Sequence, residues 1–377
     1  MKKLNILQLI NVRWYNASAY YAIAVSQALS NRGHKVIVAG DFPSPPLEKA
    51  QQLKLKIHPG LNLSRLDHTS ILQNLKRLSD IVKKEQIEVI NAHRGEGHFY
   101  ASLLKKISSP KLAIIRTRGD IRPPKANFFN HYLNHKLTDG VITSCKILEE
   151  SYRKNLNFDS YNLRNIPVGI DTDYFTPAYK SRLRQELNLD EKTPVIGMVG
   201  RLSPVKGHSY FIEAAQLVVE TFPKAIFLIA GEDAQISKNQ LNDKVKDSGI
   251  SGNFIFLGKI PDVREAIGVL DIGVVASIGS ESVCRVALEY MAMGKPVIGT
   301  NINAIPEVVH DKVNGLVVPP QEPRDLAGAI MKLAEDRVLR EKFGQMSRKL
   351  ACEKFSLEKL AQATEEFYYQ HLHDKSA

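Results

Sequence analysis

Short apolar runs alternate with helix-length amphipathic segments along the whole chain. Leu4–Ile10 is strand-like, Ser18–Ser30 carries helical spacing, and Lys35–Ala39 is strand-like again after the turn Asn31-Arg32-Gly33-His34. Glu88–Ala92, Lys111–Thr117, Gly140–Thr143 and Asn165–Val168 continue the strand series, with helical patterns between them. Alternation of this kind implies right-handed crossovers and a parallel sheet covered by helices on both faces.

The pattern pauses around Gly169–Pro177, and a strongly polar helix is expected at Ser181–Leu187. An interdomain linker is placed here, over residues 171–192. A second strand series opens at Pro194–Gly200 and returns at Ala225–Ala230, Asn253–Leu257, Ile272–Val275, Pro296–Gly299 and Gly315–Val318. Helices are expected between them at Ser209–Thr221, Ser237–Asp247 and Cys284–Met293. From Pro323 the chain is helical, with Ser356 as N-cap of a last helix, Leu357–His373. The expected fold is α/β: two Rossmann-like doubly wound domains, residues 1–170 and 193–356, with a ligand crevice off the strand ends.

Composition fits that architecture. The chain has 377 residues, too many for one comfortable core, and its 44% hydrophobic and 24% charged residues are those of a globular protein. No apolar run reaches the about 20 residues of a membrane-spanning helix. Asn5 and Gln8 interrupt the apolar start and no small-residue cleavage site follows, so it reads as a first strand rather than a signal peptide. A cytoplasmic protein is expected, touching a membrane at most from outside. Cys145, Cys284 and Cys352 lie far apart without a CxxC pair, which argues against disulfides and structural zinc.

The net charge of +11 is uneven: residues 1–170 hold 26 Lys and Arg against 12 Asp and Glu, the remainder 25 against 28. A basic first half suits an anionic partner, such as a phosphorylated glycolipid or an anionic bilayer surface. No helix-turn-helix, RNA-binding or zinc-finger signature accompanies it, so nucleic acid is not the expected partner.

Two stretches of the second half carry chemistry. Gly200-Arg201-Leu202-Ser203-Pro204-Val205-Lys206-Gly207 lies between an expected strand and helix. Its glycines permit sharp turns and close ligand approach, and Arg201 and Lys206 are two cations suited to a diphosphate. It is neither a Walker loop nor a dinucleotide GxGxxG. Taken alone it is also compatible with a surface turn bearing two solvated cations. The second stretch runs from Glu281 to Glu289 after the strand Asp271–Val275. Amides of Ser282, Val283, Cys284 and Arg285, taken as a first helical turn, would form an anion site. Glu281 would hold sugar hydroxyls and Glu289, two turns on, a ribose diol. Read separately, Glu281 is equally a favourable charge at a helix start and Glu289 a solvated helix position.

Together these stretches resemble the retaining glycosyltransferases of the GT-B fold, in particular glycosyltransferase family 4. The matching residues are GRLSPVKG at 200–207, Glu281 and Glu289 with seven residues between them, MAMGKPVIGT at 291–300, Pro306-Glu307-Val308-Val309 and Asn314–Val318. Weaker echoes are Arg32-Gly33-His34-Lys35-Val36 and Gly169-Ile170-Asp171 with Phe175 and Pro177. The resemblance implies two Rossmann-like domains facing across a cleft, a nucleotide-diphosphate sugar donor and retention of anomeric configuration. By it, Arg201 and Lys206 neutralise the diphosphate, Glu281 binds the transferred sugar, and Glu289 the ribose. Gly200 and the backbone of Ser282–Arg285 lie at the phosphates, the nucleobase near Lys259 and Ile260. The last helix, about 357–377, crosses back to the first domain.

The first half departs from the family. Where Gly-Gly is usual after the first strand, Asn16 and Ala17 stand, so a side-chain contact from Asn16 is expected to replace a backbone one. Where a histidine is usual, Arg118 stands, within Arg116-Thr117-Arg118-Gly119-Asp120-Ile121-Arg122-Pro123-Pro124-Lys125. Four cations in ten residues suit a phosphate-reading acceptor loop, or a solvated basic loop. His93 ends a strand and is either a structural residue or part of the site. Asp171-Thr172-Asp173 spells a DxD motif, but it falls in the linker and two cations already neutralise a diphosphate; no metal and no other cofactor are expected. An epimerase or hydrolase of the same shape, or a non-catalytic sugar-nucleotide-binding subunit, are the alternatives; a dehydrogenase lacks its glycine fingerprint.

Overall fold

The computed structural model describes residues 2–65 and 67–373. The chain forms two units: one runs to Gly169 and resumes at Leu357, and the other is Ile170–Ser356.

The first unit holds β1 (Asn5–Leu9), β2 (Lys35–Gly40), β3 (Lys56–Pro59), β4 (Val89–Ala92), β5 (Ala113–Arg118), β6 (Gly140–Thr143) and β7 (Leu163–Asn165). They form one sheet in the order β3-β2-β1-β4-β5-β6-β7, with every pairing parallel. Strand order reverses at β1, where Leu7 lies between Ile37 of β2 and Ile90 of β4. Ile6, Leu7 and Leu9 are fully buried, as both faces of a helix-covered parallel strand must be.

Two strands differ from the sequence expectation. β3 is an edge strand of Lys56-Ile57-His58-Pro59 that is only partly buried, so its residues carry little of a strand's apolar pattern. The last strand is Leu163–Asn165 rather than Asn165–Val168: the ladder to β6 ends with Asn165 opposite Thr143, and the buried Ile166 and Val168 lie beyond it.

The helix Leu357–His373 packs within the first unit, burying Phe367 and Tyr368. Its Glu365 meets Arg32, and His34 at 3.0 Å. Its Tyr368 hydroxyl enters the sheet interior, accepting from Asn91 Nδ2 at 2.7 Å and Gln8 Nε2 at 3.5 Å.

The second unit repeats the design with β8 (Val195–Val199), β9 (Ile226–Ala230), β10 (Phe254–Gly258), β11 (Ile272–Val275), β12 (Val297–Thr300) and β13 (Gly315–Val318). The order is β10-β9-β8-β11-β12-β13, again all parallel. Its core includes Phe211 and Phe227, whose ring centroids are 5.6 Å apart, with Phe254 5.3 Å from Phe227. Both sheets have the doubly wound order in which a switch point, at β1/β4 and β8/β11, leaves a crevice off the strand ends.

The stretch expected as a linker, 171–192, is held against the second unit instead. Arg348 donates to the carbonyls of Thr172 and Phe175 at 2.9 Å each, and Ser181 Oγ donates to the Glu265 carbonyl at 2.8 Å. Its polar helix shortens to Leu183–Glu186. Among the described residues no helix is long and apolar enough to cross a membrane.

Candidate active site

Strands β8 and β11 are neighbours at the second switch point, so the loops after their carboxyl ends emerge side by side. After β8, Pro204–Lys206 makes a 3₁₀ turn and Gly207 follows at φ +76° before the helix His208–Thr221. A Cβ on Gly207 would lie 2.0 Å from the Ala276 carbonyl oxygen just after β11, so only glycine lets the loops pass. Ile278 N–H then donates to the Val205 carbonyl at 2.9 Å.

That stitching brings Lys206 Nζ onto Oε1 of Glu281 as an ion pair. Ser277 Oγ donates to the same oxygen at 2.8 Å. The Glu281 backbone is fixed as well, its carbonyl accepting from Ala304 N–H at 3.0 Å. Glu281 is 6% exposed. Arg201 follows Gly200 on the same loop, is exposed, and forms no ion pair among the described residues. The neighbouring His208 ring is buried, which lowers its pKa to about 4; the Ser203 backbone opposes the shift and Lys206 adds to it.

The helix expected from Cys284 begins at Arg285 and runs to Ala292. Cys284 itself stands in the left-handed region at φ +47°, so Ser282, Val283 and Cys284 form a buried connection rather than a first helical turn. The regular row of free amides expected at Ser282–Arg285 is therefore not formed as such. Burial pushes the Cys284 thiol pKa well above its ordinary value, with Glu281 adding to the rise. Glu289 is not solvated: it is 3% exposed, Arg285 Nε lies 3.2 Å from its Oε1, and Oε2 has no hydrogen-bond partner among the described residues. Burial raises its pKa, against the pull of Arg285. Lys259, beyond β10, pairs with Glu232 at 2.9 Å, and Ile260 is half-buried beside it.

In the first unit, residues following β4 and β5 line a pocket of about 690 Å³. It gathers His93, Arg118 and Arg122, together with Arg94, Arg116 and Lys125. Phe99, Phe129 and Leu133 supply an apolar wall. Asn16 and Ala17 are not among its lining residues: Asn16 Oδ1 accepts from Ala19 N–H at 3.0 Å and caps the helix Ala17–Asn31, while Ser18 reaches the pocket in their place. Arg116, expected among the cations of the basic loop, stands instead within the strand β5, as a lone buried guanidinium among aliphatic residues. Asp171 turns inward on its own loop, accepting from the N–H groups of Asp173 at 3.1 Å and Tyr174 at 2.9 Å.

Two family models match the chain: Glycosyltransferase Family 4 over residues 18–174 and Glycosyl transferases group 1 over 180–350. A D-inositol 3-phosphate glycosyltransferase of Corynebacterium jeikeium (strain K411) is 33% identical over 216 residues, 55% of this chain and 51% of that one, so the match spans about half of that relative. An Escherichia coli UDP-Gal:alpha-D-GlcNAc-diphosphoundecaprenol alpha-1,3-galactosyltransferase is 24% identical over 279 residues, 71% of this chain and 72% of that one. Among solved structures, Anabaena HepE in complex with UDP superposes with a TM-score of 0.83 at 20% identity, covering 96% of this chain and 99% of that one. Matched in both units and in fold, the chain belongs to the glycosyltransferases of group 1 and family 4, with the GT-B fold.

Proposed function

We propose that this glycosyltransferase moves a hexose-type sugar from a nucleoside-diphosphate sugar to an anionic, lipid-linked saccharide of envelope polysaccharide, with retention of configuration and without a metal. The observation that carries the donor half is the ion pair of Lys206 with the buried Glu281 at the β8/β11 switch point, on the loop that also bears the exposed Arg201. Arg201 and Lys206 neutralise the diphosphate, and Glu281 accepts from hydroxyls of the transferred sugar. Glu289 faces the ribose, and Lys259 and Ile260 the base.

In the transfer, the acceptor hydroxyl oxygen bonds to the anomeric carbon as the bond from that carbon to the phosphate oxygen breaks. The departing phosphate oxygen takes the acceptor proton. Charge stabilisation on the leaving diphosphate and positioning of the acceptor then supply the rate, with no separate base required.

Relatives support the donor and acceptor classes: the Escherichia coli one is named for UDP-Gal and a diphosphoundecaprenol-linked sugar, and HepE was solved with UDP. Contact with an anionic membrane surface is supported by Phe128 and Phe129, 85% and 54% exposed on the helix Phe128–Lys136 just after Lys125. Each cation near such a surface contributes about 1 kcal/mol. The test is a thermal-shift screen of UDP-, GDP- and ADP-sugars. A ligand at about 100 times its Kd adds about 2.7 kcal/mol of stability; no shift with any of them overturns the proposal.

A further inference from the structure

The first-unit pocket has a surplus of positive charge that its own carboxylates do not balance. Its five cationic side chains face two carboxylates, Glu96 and Asp120. Asp120 is committed to Arg122, whose Nε lies 3.0 Å from Oδ2, and it stands 3.9 Å from Arg94. Glu96 lies 3.8 Å from Arg94 and accepts from Asn11 Nδ2 at 3.3 Å. Arg116 and Arg118 form no ion pair among the described residues. Arg116 is 4% exposed and spends Nη1 on the carbonyls of Ala92 and Thr117, at 2.7 and 2.8 Å. Arg118 Nε is buried and has no hydrogen-bond partner among the described residues. Burial and the neighbouring Arg118 pull the Arg116 pKa down to about 9, so a ligand oxyanion would relieve a real electrostatic cost.

His93 adds a second requirement. Gln8 Nε2 points to Tyr368, so Gln8 Oε1 faces His93 Nε2 at 2.7 Å. An amide oxygen only accepts, which places the ring proton on Nε2 and leaves Nδ1 with a lone pair. Nδ1 is buried and has no hydrogen-bond partner among the described residues, on a residue 2% exposed that lines the pocket. Burial, then Arg116, lowers the His93 pKa to about 3, so the ring stays neutral. The arginines around it are donors, but among the described residues none of them bonds to Nδ1, which leaves its lone pair open to a donor from the ligand.

We infer that this pocket is an acceptor subsite reading two features of one molecule: an oxyanion, phosphate or carboxylate, held by Arg116 and Arg118, and a hydroxyl group donated to Nδ1 of His93. Its role as an acceptor site rests on the glycosyltransferase reading above.

Isothermal titration with glucose 6-phosphate, glucuronate, glucose and inorganic phosphate tests it. At least one hexose oxyanion should bind about tenfold more tightly than glucose, and which one does so identifies the oxyanion. Arg118→Ala should abolish that preference. His93→Ala should weaken the preferred hexose oxyanion about tenfold while leaving inorganic phosphate unchanged. His93→Asn, which keeps an acceptor atom at the site, should recover part of the loss, and it stands in should the alanine variant unfold. No preference over glucose in the wild type, or equal effects of His93→Ala on phosphate and hexose oxyanion, would overturn the inference. The same variants titrated with UDP, GDP and ADP report the second unit separately: unchanged nucleotide binding confines a failure to this pocket, and absent nucleotide binding in the wild type indicts the donor reading instead.

Discussion

Lys206 and Glu281, 75 residues apart in the chain, meet as an ion pair across two loops that leave adjacent parallel strands. The carboxylate is further held by Ser277, so its orientation is set before any ligand arrives. Glu281→Gln keeps the shape and removes the charge. Turnover at saturating donor should fall about 100-fold, close to 2.7 kcal/mol of transition-state stabilisation, with the melting temperature little changed. Initial rates equal to wild type would take Glu281 out of the chemistry.

At Gly207 the two loops pass closely, and its left-handed backbone compounds the steric limit. Gly207→Ala should cost about 2–3 kcal/mol of stability through the strained φ and the clash with Ala276. Urea unfolding measures it; a loss under about 0.5 kcal/mol would show that the loops are free to separate.

If Arg201 and Lys206 neutralise the diphosphate, a divalent ion is not required. Activity should survive excess EDTA without loss. Loss restored by manganese would return Asp171 and Asp173 to consideration as ligands, although Asp171 is already taken up by backbone N–H groups of its own loop.

Buried histidines set an acid limit. Burial lowers the pKa of His93 to about 3, that of His208 to about 4, and that of His98 well below its ordinary value. The unfolded chain takes up these protons at about pH 6.5, so below that pH it binds more protons than the folded state. Stability is therefore complete above about pH 6.5 and falls as pH drops, each histidine contributing about 1.4 kcal/mol per pH unit until its folded pKa is approached. Urea unfolding at about pH 7.5, 6 and 5 should show the decline; a flat profile would mean that the rings are hydrated in solution.

The fold was largely legible because both sheets are covered on two faces, and their strands are nearly continuous apolar runs. Gly140–Thr143, Ile272–Val275 and Gly315–Val318 have the bounds their apolar patterns suggest. The edge strand Lys56–Pro59 was not legible, since an edge needs no apolar face. The turn at Cys284 was hidden for another reason: cysteine has no preference for the left-handed backbone that tertiary packing imposes there. Asn16 carried a readable capping signal, an asparagine directly before an alanine-rich helical pattern, and its side chain caps that helix. The gathering of His93, Arg94, Arg116 and Arg118 required knowing that β4 and β5 are neighbours, which periodicity does not supply.

The most direct measurement is calorimetric titration of wild type and Lys206→Ala with the nucleoside diphosphate that binds best among UDP, GDP and ADP. The account predicts about 30- to 100-fold weaker binding by the variant, the 2–3 kcal/mol expected for a charge-assisted contact to phosphate. Equal dissociation constants for the two proteins would contradict it.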